Sequence, residues 1–398
     1  MHLPPRLATS LPLCYTYLTL QGAPVVLKRL FVRSDFILLA VVLALSCFGA
    51  MMVASATHHY ATSGSAAGSV KLKVQIVSLL LGLGLMVLLM SIDYAKLLHV
   101  APLILGGCAG LVLLTLVLGH AIRGSARWIP IGPLHLQPSE FAKLGVIIAL
   151  SFYLSLRAEE SDLGSLRVFV QSLLLAFAPA CLILLQPDLG TPLVLFFVTL
   201  TMLFVLGTRP LYIGGAVLLA LLMLAAAWHT NVLKGHQKER IMSFVNPEMD
   251  PQGAAFQLNQ SLIAVSSGHF LGKGLFKGTQ SNLAFIPDQE TDFIFAVVGE
   301  ELGFAGSVSL LALLGLLIWR CFAVAAEAKD AGGRALAVGI GAMFIIQVIV
   351  NVGMILGVMP VKGLPLPFLS YGGSAMMTNC AAVGIVESVY MRRHKIAF

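Results

Sequence analysis

"FIPDQETDFIFAVVGEELGF", residues 285–304, packs Asp288, Glu290, Asp292, Glu300 and Glu301 around an apolar run. Upstream, Glu239 adds a sixth acid facing the same region. Charged side chains near bilayer depth are costly, and each one there asks for a functional reason. The stretch therefore reads as the junction between a loop and a membrane span.

The rest of the chain supports a membrane setting. Of 398 residues, 58% are hydrophobic and 11% charged, where a soluble domain carries about a quarter charged residues. Such a chain belongs to the polytopic α-helical membrane class. The net charge of +7 comes from clusters such as Lys28-Arg29…Arg33 and Arg392-Arg393…Lys395 that flank apolar segments. They read as topology signals beside anionic lipid, and no nucleic-acid partner is indicated. Six cysteines are scattered, with no metal-ligand spacing and no disulfide framework.

A span needs roughly 17–25 apolar residues. Ten candidates are predicted, at about 35–56, 74–92, 98–119, 141–156, 167–186, 190–207, 210–228, 302–325, 335–358 and 373–391. The fourth is short and reads as tilted or only partly spanning. Lys and Arg in short loops set orientation. An inside N-terminus puts Lys96, Arg157, Arg167, Arg209, Arg320, Lys329 and Arg334 inside with the terminal clusters, against Lys71, Lys73, Arg123, Arg127 and Lys362 outside. Both termini are thus expected in the cytoplasm. The expected division is an N-terminal cytoplasmic extension over 1–34, a ten-helix domain over 35–391 and a cytoplasmic tail over 392–398. A cleaved signal peptide is the weaker reading of the first 27 residues.

Three outer connections draw notice: 120–140, the tight "QPDLGT" at 186–191, and the long 229–301 between the seventh and eighth helices. Within the last, "FQLNQSLIAVSSGHF" places Gln257, Gln260 and Ser261 on one helical face and Leu258, Leu262 and Ile263 near another. It reads as an interfacial helix folded back on the bundle.

The charged candidates lie on these connections. Asp292 stands just before apolar sequence, so partial desolvation is expected to raise its pKa toward that of a useful general base. Glu300 and Glu301 read as acids at a helix start, favoured by the helix dipole. Ser139 reads as a helix N-cap ahead of Glu140. Glu140 and Lys143, at i and i+3, enter an apolar segment together as an internal pair. Trp128 fits an interfacial anchor. Asp188 either caps the next helix or touches a bound head group. Lys238 and Arg240 lie on the outer side, and "MPVKGLPLPFLSYGGSAM" (359–376) brings Lys362, Tyr371 and Ser374 on a shaped, non-helical backbone. Carboxylates with Arg and Lys around one outer cavity suit an anionic, lipid-linked substrate. "GKGLFKG" (272–278) lacks the strand and the final GK[ST] of a nucleotide loop.

In order along residues 35–391, "QPSEFAKLG", "QPDLGT", "RIMSFVNPEMDPQGAAFQLNQS", "GKGLFKGTQS", "TDFIFAVVGEELGF" and "GLPLPFLSYGGSAM" resemble the SEDS family of bacterial cell-wall proteins (shape, elongation, division, sporulation). Within it, "GTQS" and "PLPFLSYGGSAM" look more like the RodA branch than the FtsW branch. Family chains usually carry His before Thr-Asp-Phe, where this chain has Glu290.

The resemblance implies a ten-span glycosyltransferase of the bacterial inner membrane. It would polymerise lipid II into glycan strands beside a class B penicillin-binding protein. Asp292 matches the family's essential aspartate and would act as general base. Glu140, Lys143, Arg127, Asp188 and Arg240 fall on positions tied to activity or to the central cavity. Arg123, Arg127, Arg240 or Lys143 would meet pyrophosphate charge, with Mg2+ or Mn2+ as a further aid, and Lys362 and Ser374 complete the candidate substrate-binding set. Alternatives are a division-specific polymerase of the FtsW type, a lipid II flippase, for which no inverted repeat is visible, and a non-catalytic scaffold.

Overall fold

The computed structural model describes residues 33–62, 65–118, 120–122, 125–132, 134–160, 162–186, 188–229, 242, 254–283, 285–360 and 363–393. Arg123, Lys238, Glu239, Arg240 and Lys362 lie outside the described residues.

A helix occupies each of the ten apolar segments. In chain order the elements are α1 (Phe36–Ala56), α2 (His58–Thr62), α3 (Ala67–Ser91), α4 (Tyr94–His99), α5 (Ala101–Leu118), β1 (His120–Ile122), β2 (Ser125–Ile131), β3 (Leu134–Leu136), α6 (Pro138–Glu159), α7 (Leu166–Leu184), α8 (Gly190–Val205) and α9 (Pro210–His229). There follow α10 (Ala254–Ser267), α11 (Thr279–Asn282), α12 (Ile294–Glu327), α13 (Ala331–Ile355) and α14 (Gly373–Met391). Among the described residues, seven helices are long and apolar enough to cross a membrane: α1, α3, α6, α7, α9, α12 and α13. The apolar segments of α5 and α8 are shorter, and α14 is not among the seven.

Four expectations shift. The fourth segment is a full helix of 22 residues, because Pro138 starts it three residues earlier than the apolar run. The eighth begins at Ile294, inside what reads as loop. At Gly303 it breaks, with φ 66° and ψ −160°, a backbone that glycine adopts at little cost. The connection 120–136 forms a three-stranded antiparallel sheet in an otherwise helical chain, with Ala121 opposite Ala126 and Pro130 opposite His135. Lastly, α10 does lie on the bundle, against α12 and α13, but Ser261 is on its buried side. Leu258, Ser261 and Ala264 face inward, Ser261 Oγ donates to Leu258 O (2.7 Å) and Ile355 O (3.3 Å), and Ile263 is exposed.

The core gathers around α13, which packs against α6, α8, α12 and α14. Its most apolar window is 78% buried, against 6% for α9, which rests on α8 at the periphery. A helix apolar all round belongs in a large core or in lipid, and these two mark the extremes. The α3–α14 pair is the most intimate contact. A Cβ at Gly384 would sit 2.6 Å from Met86 O, so a small residue there lets the backbones close.

At one end of the bundle, polar links tie helix termini together. Arg320 pairs with Asp35, whose Oδ1 caps α1 and whose own N–H donates to Glu387 (3.0 Å). Tyr94 donates to Asp330 Oδ2 (2.7 Å), and Arg392 donates to Met90 O and Ser91 O at the end of α3. Elsewhere in the bundle, the turn before α12, the loop before α14 and the start of α8 come together.

Candidate functional site

The site is built around two irregular segments, the turn 285–293 that leads into α12 and the loop 363–372 between α13 and α14. The loop has no helix or strand of its own, yet Leu364, Leu366, Phe368 and Leu369 are buried. Backbone of that kind at membrane depth must have its polar groups met by protein. Here it does. Asn351 Nδ2 donates to Leu364 O (2.8 Å), Gln75 Nε2 to Ser370 O (3.3 Å), and Gly372 N to Gln75 Oε1 (3.3 Å). Leu366 N donates to Ser370 Oγ (2.8 Å).

The turn is held against the loop carbonyl by carbonyl. Tyr371 N donates to Glu290 O (2.8 Å), Ser370 Oγ to Thr291 O (2.6 Å), and Asn351 Nδ2 to Asp292 O (2.9 Å). Gln289, fully buried, donates from Nε2 to Ala56 O at the end of α1 (2.6 Å) and to Ser281 O (2.9 Å). Glu290 is buried and pairs with Lys71 of α3, which also donates to the Tyr60 hydroxyl (3.0 Å). Asp288 and Phe368 both have positive φ (56° and 63°). For Phe368 this is an uncommon backbone, sustained only where packing over-determines it.

Asp292 comes out of this frame half-buried. Its Oδ2 lies 2.7 Å from where a Cβ on Gly363 would stand, so the carboxylate presses on the loop's bare glycine backbone. Beyond Gly363, the Leu364 side chain reaches Gly190 at the start of α8. Next to it is Asp188, whose Oδ1 accepts from Gly190 N (3.0 Å) and Oδ2 from Thr191 Oγ1 (2.9 Å). Asp188 thus ties down the first turn of α8, and Arg127 Nη1 stands 3.9 Å from its Oδ1. Arg127 Nε donates to Gln186 O (2.8 Å), which hangs β2 on the end of α7. Trp128, also on β2, meets the His135 ring edge-on.

The other flank of the loop runs to α6. Ser374 Oγ accepts from Gln137 N (2.8 Å) and donates to His135 O (3.1 Å). It therefore stitches the start of α14 to the strand–helix junction. Pro138 occupies the first helical position, so the N-cap falls on Gln137 and the expected cap, Ser139, lies buried inside the first turn. Glu140 and Lys143 form the expected internal pair, with Nζ to Oε1 at 2.9 Å and both side chains almost wholly buried. Two opposite charges so deep are tolerable only as partners.

Glu300 and Glu301 do other work than the expected dipole capping. They sit at the C-terminal end of the short helix before the Gly303 break, just ahead of the segment that restarts after it, and their carboxylates are taken up by 273–281 and α1. Glu300 accepts from Lys273 Nζ (2.8 Å), Gln280 N (2.9 Å), Ser281 N (3.2 Å) and Ser281 Oγ (3.0 Å). Glu301 accepts from Ser55 Oγ (2.7 Å). The two acids bind 273–281 and α1 to α12 because that loop folds back over them.

Asp292 therefore touches the loop directly, Asp188 stands beside the Gly190 that Leu364 reaches with Arg127 behind it, and Ser374 lies just past the loop's end, while the Glu140–Lys143 pair is bonded within α6. Sequence reasoning missed the loop's fasteners, Gln75, Gln289, Asn351 and Ser370. Gln75 and Asn351 carried a readable signal, as uncharged polar groups inside spans that must find partners. Among the described residues, no group of three or more His, Cys, Asp or Glu side chains is arranged to hold a metal ion.

The FtsW/RodA/SpoVE family model, described as "Cell cycle protein", matches residues 35–395. The "Probable peptidoglycan glycosyltransferase FtsW" of Geobacter metallireducens is 40% identical over 362 residues, covering 90% of this chain and 95% of that protein. The "Peptidoglycan glycosyltransferase MrdB" of Escherichia coli K12 is 36% identical over 366 residues, covering 92% and 96%. A chain from a solved structure reported as "Structural coordination of polymerization and crosslinking by a peptidoglycan synthase complex" superposes with TM-score 0.76 at 34% identity, covering 91% of this chain and 99% of that one. The crystal structure of the Thermus thermophilus rod shape determining protein RodA gives TM-score 0.66 at 32% identity, with coverage of 91% and 98%.

Proposed function

The chain belongs to the FtsW/RodA/SpoVE family, and from that footing we propose that it is a peptidoglycan glycosyltransferase that polymerises lipid II, with Asp292 as its general base. The observation that carries the reading is the seating of Asp292: a half-buried carboxylate on a turn whose carbonyls at 290, 291 and 292 are all held. A base must be placed before its basicity counts, and positioned proton transfer typically gives 10²–10⁴-fold.

In the proposed step Asp292 takes the proton from the 4-hydroxyl of the acceptor GlcNAc. The freed oxygen forms a bond to C1 of the donor MurNAc with inversion. The C1–O bond to pyrophosphate breaks, and undecaprenyl pyrophosphate leaves with the electron pair. The leaving group's charge needs cations rather than an acid. Arg127 and Lys143 are the described candidates, and Arg123, Arg240 and Lys362 are the others. Mg2+ or Mn2+ would ride on the pyrophosphate itself with at most one or two protein carboxylates. The described residues offer no fuller donor set.

The reading puts the chain in the bacterial cytoplasmic membrane with both termini in the cytoplasm, as the Lys/Arg distribution favours. Its partner is a class B penicillin-binding protein, in keeping with the synthase complex that one structural neighbour comes from. The service is cell elongation, on the likeness of "GTQS" and "PLPFLSYGGSAM" to the RodA branch. The FtsW relative at 40% identity favours division instead. Depletion of the elongation or the division polymerase in the source bacterium, with this chain supplied in trans, separates the two.

The decisive experiment uses purified full-length protein with its transpeptidase and lipid II. Wild type makes glycan strands, and Asp292→Asn, folded and inserted, makes none. Strands from Asp292→Asn would reject the base. No strands from wild type in detergent, with lipid II still bound, would favour a flippase.

A further inference from the structure

We propose that Lys71 and Glu290 form a positioning pair for the proposed base, an ion pair that fixes the height of the Asp292 turn against α3 and sets the charge felt beside it. The proposal rests on the reading of Asp292 above. Glu290 lies two residues before Asp292, on the turn that begins at Asp288. Its carboxylate, 9% exposed, meets the Lys71 ammonium across 219 positions of chain. Lys71 is itself steadied from a second side. It donates to the Tyr60 hydroxyl (3.0 Å) and stands 4.3 Å from that ring's centroid.

The backbone of the same residue takes the other half of the load. Glu290 O accepts from Tyr371 N (2.8 Å), so one residue is gripped by α3 through its side chain and by the loop 363–372 through its carbonyl. One turn along α3 from Lys71, Gln75 holds that same loop at Ser370 and Gly372. Helix α3 thus fixes turn and loop together through two residues at i and i+4, which share a face. The pair is redundant for anchoring α3, which already packs along α14. Its distinctive effect is on the turn.

The electrostatic consequence follows. A carboxylate two residues away disfavours ionisation of Asp292, and its neutralisation by Lys71 removes that penalty. The titratable or charged groups around the turn are Asp288, Glu290, Lys71, Tyr60, Tyr371 and His59, whose Nδ1 lies 3.1 Å from Gln289 Nε2, with Arg127 and Asp188 beyond Leu364. Lys362, next to Gly363, lies outside the described residues. Burial pushes the Tyr371 phenol above its ordinary range, with Lys71 opposing and Glu290 adding to the push, so Tyr371 stays neutral in the working pH range.

The test is a cycle of Lys71→Met, Glu290→Gln and the double variant, each with native Asp292, assayed on lipid II as full-length protein with the transpeptidase. Each single lowers kcat roughly 10- to 100-fold through misplacement of the base, with KM within about twofold. The acid limb of the kcat/KM profile moves to higher pH in Lys71→Met and to lower pH in Glu290→Gln, by about half a unit or more. In the double the limb returns to its wild-type place and kcat is no lower than in the slower single, because one clamp cannot be lost twice. A purely structural pair would not shift the two limbs in opposite directions. Limbs that stay put, or losses that add, would overturn the proposal. Where a single fails to fold, the charge-swapped Lys71→Glu/Glu290→Lys protein is used, and it must recover kcat at least about tenfold above the folded single. Failure to do so counts against the pair. Asp292→Asn reports on the base independently, since strands made by that variant reject the reading while leaving the cycle's own outcome visible.

Discussion

One side-chain amide joins the two irregular segments of the site: Asn351 Nδ2 donates to Asp292 O at 2.9 Å and to Leu364 O at 2.8 Å. Asn351 is fully buried on α13, the helix at the centre of the core. The carboxylate-bearing turn and the loop it presses against are therefore referenced to the most rigid element available. Asn351→Leu leaves two carbonyls unmet at about 1–3 kcal/mol each. Thermal unfolding in detergent should show that loss, and strand synthesis should fall roughly 10- to 100-fold, the cost of misplacement by about an ångström. Turnover at the wild-type rate would mean the amide does not set the geometry.

The Glu140–Lys143 pair makes a different kind of forecast. With both side chains buried, Glu140→Gln or Lys143→Met alone strands a charge and should cost roughly 3–5 kcal/mol. The double Glu140→Gln/Lys143→Met should melt closer to wild type than either single. If Lys143 also meets pyrophosphate, the double will be stable and nearly inactive. A stable, fully active double would make the pair a packing feature alone.

Arg127 is a test of geometry over charge. Its Nε bond to Gln186 O leaves the guanidinium face toward Asp188. Lysine keeps the charge and loses the fork. Arg127→Lys should lower kcat/KM for lipid II by about tenfold, close to the effect of Arg127→Ala, if the fork is what counts. Full activity in the lysine variant would show that any cation suffices.

Gly303 carries the break in α12. Its φ of 66° is hard for a side chain, and a Cβ there would fall 2.3 Å from Gly272 N. Gly303→Ala should cost roughly 1–3 kcal/mol of local strain and loosen 268–281, which folds back over Glu300. Limited proteolysis would reveal new cleavage in that interval. An unchanged digestion pattern and melting point would show that the break adapts.

Much of this was legible beforehand, for identifiable reasons. Apolar spans need only length and composition, so all ten segments hold helices. The Glu140–Lys143 pair showed because two charges entered an apolar run at i and i+3. Asp292 showed because carboxylates are rare beside a span. What stayed hidden depends on partners far away in sequence. Lys71 reads as a topology signal until Glu290 arrives 219 positions later. Gln75 has its partner Ser370 295 positions on. Glu300 and Glu301 look like caps until the loop 273–281 closes on them. The strands β1 and β3, at three residues each, are too short for alternation to declare them.

Beyond its own bonds among Leu366, Leu369 and Ser370, the loop 363–372 is shaped from outside. Its amides and carbonyls are met by Gln75, by Asn351 and by the turn at 290–291, while Ser374 just beyond hooks Gln137. A graft of this loop and its acidic turn into an unrelated bundle would arrive without its scaffolding and collapse. Across relatives, substitutions at 75, 290, 351 and 370 should travel together, so that the setting of Asp292 is inherited as a unit dispersed over the chain instead of a portable cassette.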